Sequence, residues 1–367
     1  MLRAVLLALA LQVVALPLQA ADHDWPAWAR FKDNLIDDSG RVIDPSDPRR
    51  ITTSEGQSYA LFFALVADDR DTFQRILDWT QEHLAKGDMG TTLPAWLWGR
   101  RDDDRWGVID ANSAADSDLW LAYTLLEAGR LWQRRDYRVL GQRLAGRIAQ
   151  QEVVDLPGFG KMLLPGRLGF TGDTLWRLNP SYMPPQLMAR LSDLGEPWPG
   201  IARRVPTLLI DSAPRGLAPD WAAWRPDQGW RPDPRHGSAG DYDAIRVYLW
   251  LGMLADDAPH REALLTHFLP MRDLTIERGV PPERIDAQSG EPRGDANVSF
   301  SAALLPFLVA TAGDDSAAMR QRQRIARNPV DAEAYYGQVL TLFGVGWDQG
   351  RYRFAADGTL HPAWDAP

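Results

Sequence analysis

The chain has 367 residues, 16 of them Trp and none of them Cys, so it can bury a sizeable core without disulfides and offers no thiol nucleophile. Its formal net charge is -9 and it contains no Lys/Arg-rich run, which argues against nucleic acid and against an anionic membrane surface as partners. A neutral polymer is the easier ligand.

Met1-Leu2-Arg3 supplies a short positive start, Ala4 to Leu16 is apolar apart from Gln12, and Leu18-Gln19-Ala20-Ala21 offers small residues for cleavage. This reads as a secretory signal peptide over 1–20, and the run falls short of the roughly 20 apolar residues that span a bilayer. The expectation is a periplasmic or secreted protein whose mature part, 21–367, is one domain with no membrane insertion. A retained N-terminal anchor is the alternative.

Helical periodicity dominates the remainder. Helices are expected near 25–36 and 71–85, with an i, i+3, i+4, i+7 stripe of Tyr59, Phe62, Phe63 and Val66 between them. Leu119, Ala122, Tyr123 and Leu126 repeat the pattern, as do Ile245, Tyr248, Leu249 and Gly252. Further segments fall near 134–152, 183–194, 197–212, 258–274, 296–311, 314–326 and 331–344, about twelve in all. Strand signals are few; the clearest is a terminal hairpin of Arg351 to Phe354, a turn at Asp357-Gly358, then Thr359-Leu360. Long Pro/Gly-rich connections at 87–115, 154–182 and 214–240 carry much of the Trp and Tyr, and loops of that length are commonly functional. About twelve helices with aromatic-rich loops suit an all-α toroid of six inner helices ringed by six outer ones. Periodicity alone does not separate that from an α-solenoid.

Three of the apolar stripes open on acids. In Thr53-Ser54-Glu55-Gly56-Gln57-Ser58-Tyr59, Glu55 follows good N-cap residues and sits in a first helical turn, on the face shared by 55, 59, 62 and 66. A Glu there also complements the helix dipole without any other role, but the small polar run after it leaves room for a substrate. Asp116 and Asp118 begin a second such helix, in a segment whose Asn, Ser and Asp are ordinary capping residues. In Gly240-Asp241-Tyr242-Asp243-Ala244-Ile245-Arg246, the plain reading of Asp243 and Arg246 is an exposed i, i+3 ion pair worth a few tenths of a kcal/mol. Asp241 and Tyr242 beside it suggest more, because closely placed acids raise one another's pKa and a Tyr can orient a water or stack on a sugar. As inner helices of one toroid, all three would bring their N-termini to one face. A general acid must hold its proton near neutrality, so Glu55 would need burial, or repulsion from Asp116, to outweigh the dipole.

Flat rings suited to a pyranose face are available at Trp96, Trp98, Trp106, Tyr182, Trp221, Trp224, Trp230, Tyr335 and Tyr336. The loop residues Trp96, Trp98 and Trp106 are better candidates for a groove than the mid-helix Trp120 and Trp250. The six His are scattered without metal-ligand spacing, and no phosphate-binding Gly loop or GxSxG elbow occurs. No cofactor and no metal are expected.

Four segments in order, Thr52-Thr53-Ser54-Glu55-Gly56-Gln57-Ser58-Tyr59, the Ala115-Asp116-Ser117-Asp118-Leu119-Trp120 stretch, Asn179-Pro180-Ser181-Tyr182 and Tyr242-Asp243-Ala244-Ile245-Arg246, resemble glycoside hydrolase family 8 across essentially the whole mature chain. The resemblance implies an (α/α)6 barrel and inverting endo-hydrolysis of β-1,4-glucan, cellulose above all. It makes Glu55 the general acid, Asp243 the general base and Asp116 a contact to the sugar at the cleavage point, with Tyr182 lining the site near the attacking water. Tyr242, Arg246, Trp96, Trp98 and Trp106 are the further candidates for substrate binding. Within the family the likeness is to members tied to bacterial cellulose synthesis, which implies a functional link to a cellulose synthase complex. The usual family pattern at Asp116 is Ala-Ser/Thr-Asp-Ala/Gly-Asp, whereas Ala115 and Ser117 stand here. Xylan and chitosan remain alternative substrates, and a non-catalytic glucan-binding protein is the alternative of another class.

Overall fold

A computed structural model describes residues 25–313 and 315–365; the expected signal peptide lies outside them. Thirteen α-helices run through the described residues: α1 (Pro26–Leu35), α2 (Ser54–Val66), α3 (Arg70–Leu84), α4 (Ala115–Leu131), α5 (Arg135–Gln151), α6 (Pro185–Leu191), α7 (Trp198–Ser212), α8 (Ile245–Gly252), α9 (Arg261–His267), α10 (Leu269–Arg278), α11 (Val298–Ala310), α12 (Ser316–Arg327) and α13 (Tyr335–Asp348). They alternate between two kinds. Every residue of α2 is buried apart from Glu55, and α4 is buried from Ala115 to Gly129, as befits helices packed on all sides. By contrast α12 buries only Ala317, Ala318 and Gln321. The enclosed helices α2, α4, α6, α8, α11 and α13 pack respectively with α3, α5, α7, α9, α12 and α1, which gives the (α/α)6 arrangement its two layers. Helix α10 follows α9 directly in the outer layer. The expected segment at 258–274 is thus two helices, since His267-Phe268 closes one and Pro270 suits only the first turn of the next.

Phe343 of α13 is the meeting point of the inner layer. Its ring lies 5.1 Å from Tyr59, 5.5 Å from Phe62, 4.6 Å from Phe63, 5.2 Å from Trp120 and 5.1 Å from Trp250, so residues of α2, α4 and α8 converge on it. Glycine permits the closest helix crossings: a Cβ at Gly344 would stand 1.8 Å from the Ala302 carbonyl oxygen, and one at Gly252 2.1 Å from the Phe307 nitrogen. Both contacts hold α11 between α8 and α13.

The long connections are more ordered than their composition suggests. Strands β1 (Thr52–Thr53), β2 (Leu97–Arg100) and β3 (Trp106–Asp110) form one small sheet, and β4 (Val153–Leu156) pairs with β5 (Gly160–Leu163). Strands β6 (Trp176–Leu178), β7 (Ala222–Arg225) and β8 (Gly229–Pro232) form a third, and β9 (Ala239–Gly240), β10 (Pro282–Asp286) and β11 (Pro292–Asp295) a fourth. Runs of two to five residues are too short for period-two patterning to register, which is why few strands were expected. The terminal hairpin does form, as β12 (Tyr352–Phe354) and β13 (Leu360–Pro362), with Phe354 opposite Leu360.

Candidate active site

Each of the three acids is presented by a helix start. Strand β1 leads directly into α2, where the Thr53 side chain caps the Gly56 N–H at 3.0 Å and leaves Glu55 in the first turn. Asp116 occupies the first turn of α4, 2 % exposed, with its Oδ1 accepting the Ser117 N–H at 2.8 Å. Asp243 lies in the turn just before α8, where Ala244 is the N-cap.

Arg246 joins them. It is 2 % exposed, so the exposed Asp243–Arg246 pair of the plain reading is not what forms. Its Nη1 donates to Glu55 Oε2 at 2.5 Å, to the Tyr59 hydroxyl at 2.9 Å and to Asp116 Oδ2 at 3.3 Å, while Nη2 donates to Asp243 Oδ1 at 2.5 Å. The guanidinium carbon lies 5.6 Å from the Tyr182 ring and 5.9 Å from the Tyr336 ring, within cation–π range of both. Glu55 and Asp243 keep 23 % and 29 % of their side chains exposed, against 3 % for Asp116. The two better-exposed carboxyls thus sit on different nitrogens of one buried cation. Burial, reinforced by the charge of Glu55 and opposed by Arg246, raises Asp116 to about 7. Asp116 therefore carries a proton well above the ordinary carboxylate range.

Tyr182 is placed by a 3-10 turn, Pro180–Tyr182, in which Asn179 Oδ1 accepts the Ser181 N–H and hydroxyl at 3.0 and 2.7 Å and the Trp250 indole N–H donates to the Ser181 carbonyl at 2.9 Å. The Tyr336 hydroxyl donates to the Tyr242 carbonyl at 2.6 Å, tying α13 to the Asp243 turn. Tyr242 is 43 % exposed and forms, with Asn297, Arg324, Val330 and Tyr336, part of the wall of a cavity of about 390 Å³ that none of the three acids lines.

The aromatic candidates separate. Trp96 is half-buried next to the Glu55 turn, its carbonyl accepting the Ser54 N–H at 3.0 Å. Trp106 is 49 % exposed and stacks at 5.4 Å on Trp98, with Arg41 4.4 Å from the Trp98 ring and 4.8 Å from Trp106. Trp98 itself is buried against Trp79 and Leu84, so it supports Trp106 rather than offering a groove face. Trp224 and Trp230 belong to the main core, packed on Phe159, and do not line a groove. Trp221 is stacked with Phe170 and with His236 beside Tyr182. Tyr335 is buried and fills the space above Gly56, where a Cβ would meet its hydroxyl at 3.0 Å. The small run after Glu55 therefore accommodates Tyr335, not a substrate. Gln57, in that run, is structural too: its Oε1 accepts the Val42 N–H at 2.6 Å and its Nε2 donates to Thr80 at 2.9 Å.

Asp118 is brought elsewhere. It is fully buried facing Glu152, whose Oε1 accepts the Ser113 hydroxyl at 2.5 Å. Burial and mutual repulsion raise Asp118 well above the ordinary range, and burial raises Glu152 to about 8. Sequence reasoning missed Asp220, buried beneath the Asp243 turn, because Ala218-Pro219-Asp220 in a Pro-rich connection carries no periodic or motif signal. Among the described residues no group of three or more His, Asp or Glu is arranged to hold a metal ion.

The profile of "Glycosyl hydrolases family 8" matches residues 3–350. The chain belongs to this family. It is 50% identical over 354 residues to an endoglucanase of Escherichia coli O157:H7, covering 96% of this chain and 95% of that one, and 51% identical to an endoglucanase of Salmonella typhi, covering 96% and 94%. Among solved structures, the endo-1,4-D-glucanase of Vibrio fischeri ES114 superposes with a TM-score of 0.90 at 45% identity, covering 94% of this chain and all of that one. Family 8 membership makes the protein a glycoside hydrolase with an (α/α)6 fold, and the cluster around Arg246 is where its acids gather.

Proposed function

We propose that the protein is an endo-1,4-β-glucanase, a cellulase, that cleaves internal bonds of β-1,4-glucan with inversion. The observation that carries this is Arg246 gathering Glu55, Asp116 and Asp243 from three helix starts, with the Tyr182 and Tyr336 rings within cation–π range of its guanidinium. Relatives named as endoglucanases at 50% and 51% identity support the substrate.

In this reading Glu55 protonates the glycosidic oxygen while Asp243 takes a proton from a water on the opposite face of the sugar. The bond breaks through an oxocarbenium-like transition state. An inverting enzyme keeps its two carboxyls about 6.5–9.5 Å apart to admit that water, against about 5 Å for a retaining one. Asp116 contacts the sugar at the cleavage point. Trp96 and Tyr242 offer ring faces to neighbouring sugars, and Trp106 a further one. Export to the periplasm and service to a cellulose synthase complex complete the proposal, on the strength of the N-terminal segment and the family likeness.

The test is hydrolysis of defined cello-oligosaccharides followed by proton NMR. The α-anomer should appear first; a β-anomer first would overturn inversion. Glu55→Gln should abolish cleavage while leaving oligosaccharide binding intact, and undiminished cleavage would remove Glu55 from the acid role. Side-by-side assays on carboxymethylcellulose and xylan decide between glucanase and xylanase.

A further inference from the structure

Asp220 lies in the connection between α7 and β7, 7 % exposed. Its Oδ1 accepts the backbone N–H groups of Asp241 and Ala244, both at 2.8 Å. These donors bracket Tyr242 and Asp243 in the opening turn of α8, a helix whose own N-cap residue, Ala244, supplies no side-chain cap. Asp220 is therefore an N-cap delivered from about twenty residues upstream, satisfying donors a helix start leaves unpaired.

The shelf that carries Asp220 is itself clamped. Its N–H donates to the Ala239 carbonyl at 2.8 Å, and the Ala218 N–H donates to the Tyr248 hydroxyl at 2.8 Å. Gly240 has no room for a side chain, since a Cβ there would stand 2.1 Å from the Ala218 carbonyl oxygen. Burial, then the charge of Asp243, raises Asp220 to about 8.

We propose that Asp220 is a positioning residue for Asp243: by gripping the N–H groups on either side of the base it fixes where the Asp243 carboxyl stands relative to the attacking water. The proposal rests on the reading of Asp243 as general base. Arg246 holds that carboxyl from one side and Asp220 holds its backbone.

The full chain is assayed on cellopentaose as wild type, Asp220→Ala, Asp220→Asn and Asp243→Asn, with oligosaccharide Kd and Tm measured for each. Asp220→Ala should lose about 10- to 100-fold in kcat with KM and Kd within about threefold of wild type, the size expected when a reacting group is displaced by about 1 Å. Asp220→Asn should recover most of that rate, because its amide oxygen accepts both N–H groups. A kcat for folded Asp220→Ala within threefold of wild type overturns the proposal, as does Asp220→Asn as slow as Asp220→Ala. If Asp220→Ala does not fold, Asp220→Asn decides alone: a tenfold loss of kcat in the folded variant overturns the proposal, and a rate within threefold of wild type upholds it. Hydrolysis that survives Asp243→Asn refutes the underlying reading of the base, and the positioning role with it. Inactive Asp243→Asn beside fully active Asp220→Ala refutes the positioning role only.

Discussion

Three carboxyls on one buried guanidinium make Arg246 the residue on which the charge of the site depends. Its planar fork reaches Glu55 and Asp116 with one nitrogen and Asp243 with the other, a span an ammonium cannot reproduce. Arg246→Lys should therefore reduce kcat/KM by about 10²-fold or more through misplacement of the acids, measured on carboxymethylcellulose; a loss below threefold would show that the fork is dispensable. Glu55, Asp116 and Asp243 were legible in the sequence because each stands within a turn of the start of an apolar stripe, a local property. The burial of Arg246 and the cap from Asp220 were not, because both arise from segments that meet only in the folded chain. Trp224 and Trp230 mark the same boundary from the other side, since composition announces a ring but not which surface it faces.

At the level of elements, the inner helices owe their spacing to glycine. Gly344→Ala would drive a methyl into the Ala302 carbonyl at 1.8 Å, a clash with backbone that cannot move aside, and the cost should be at least the 1–3 kcal/mol typical of overpacking. Gly146, exposed in the middle of α5 with open space where a Cβ would go, provides the contrast: Gly146→Ala should stabilise by about 1 kcal/mol through helix propensity. Urea titrations of the pair check both signs, and equal effects would refute the crossing argument. Gly56→Ala is the intermediate case, because the neighbour at 3.0 Å is the Tyr335 side chain; activity should fall more than stability as Tyr335 shifts over Glu55. Inner helices were readable from their apolar density. The strands of the connections were not, because each exists only through its partner: Trp98, for example, is held opposite Thr52 across a sheet that includes a register shift at Leu97/Trp98.

Over the whole molecule, two buried acidic centres set stability in opposite ways. Glu127 is fully buried and fully engaged: Arg190 donates to it at 2.6 Å, Arg130 at 2.8 Å and the Leu360 N–H at 2.9 Å. Glu127→Ala leaves Arg190 with Asp193 and Arg130 with the Leu360 carbonyl as remaining partners, and should cost about 1–3 kcal/mol through the lost buried acceptor; an unchanged Tm would refute the pin. Asp118 and Glu152 instead face each other, and both have folded-state proton affinities raised by burial. A raised carboxyl contributes stability that is complete below its unfolded pKa and is lost as pH rises through the folded value, so wild-type Tm should fall between about pH 5 and about pH 8 more steeply than that of Glu152→Gln. Parallel slopes would refute the linkage. The terminal hairpin has a consequence of its own in time. Tyr123 of α4 donates to the Gly358 carbonyl at 2.8 Å, Glu127 holds Leu360, and Tyr352 lies 5.2 Å from Phe62 of α2, so residues near the end of the chain complete a core begun near its start. Contacts of such sequence separation are slow to close. Closing the core around α2 and α4 therefore waits on the hairpin, and its contacts should be among the slowest to form.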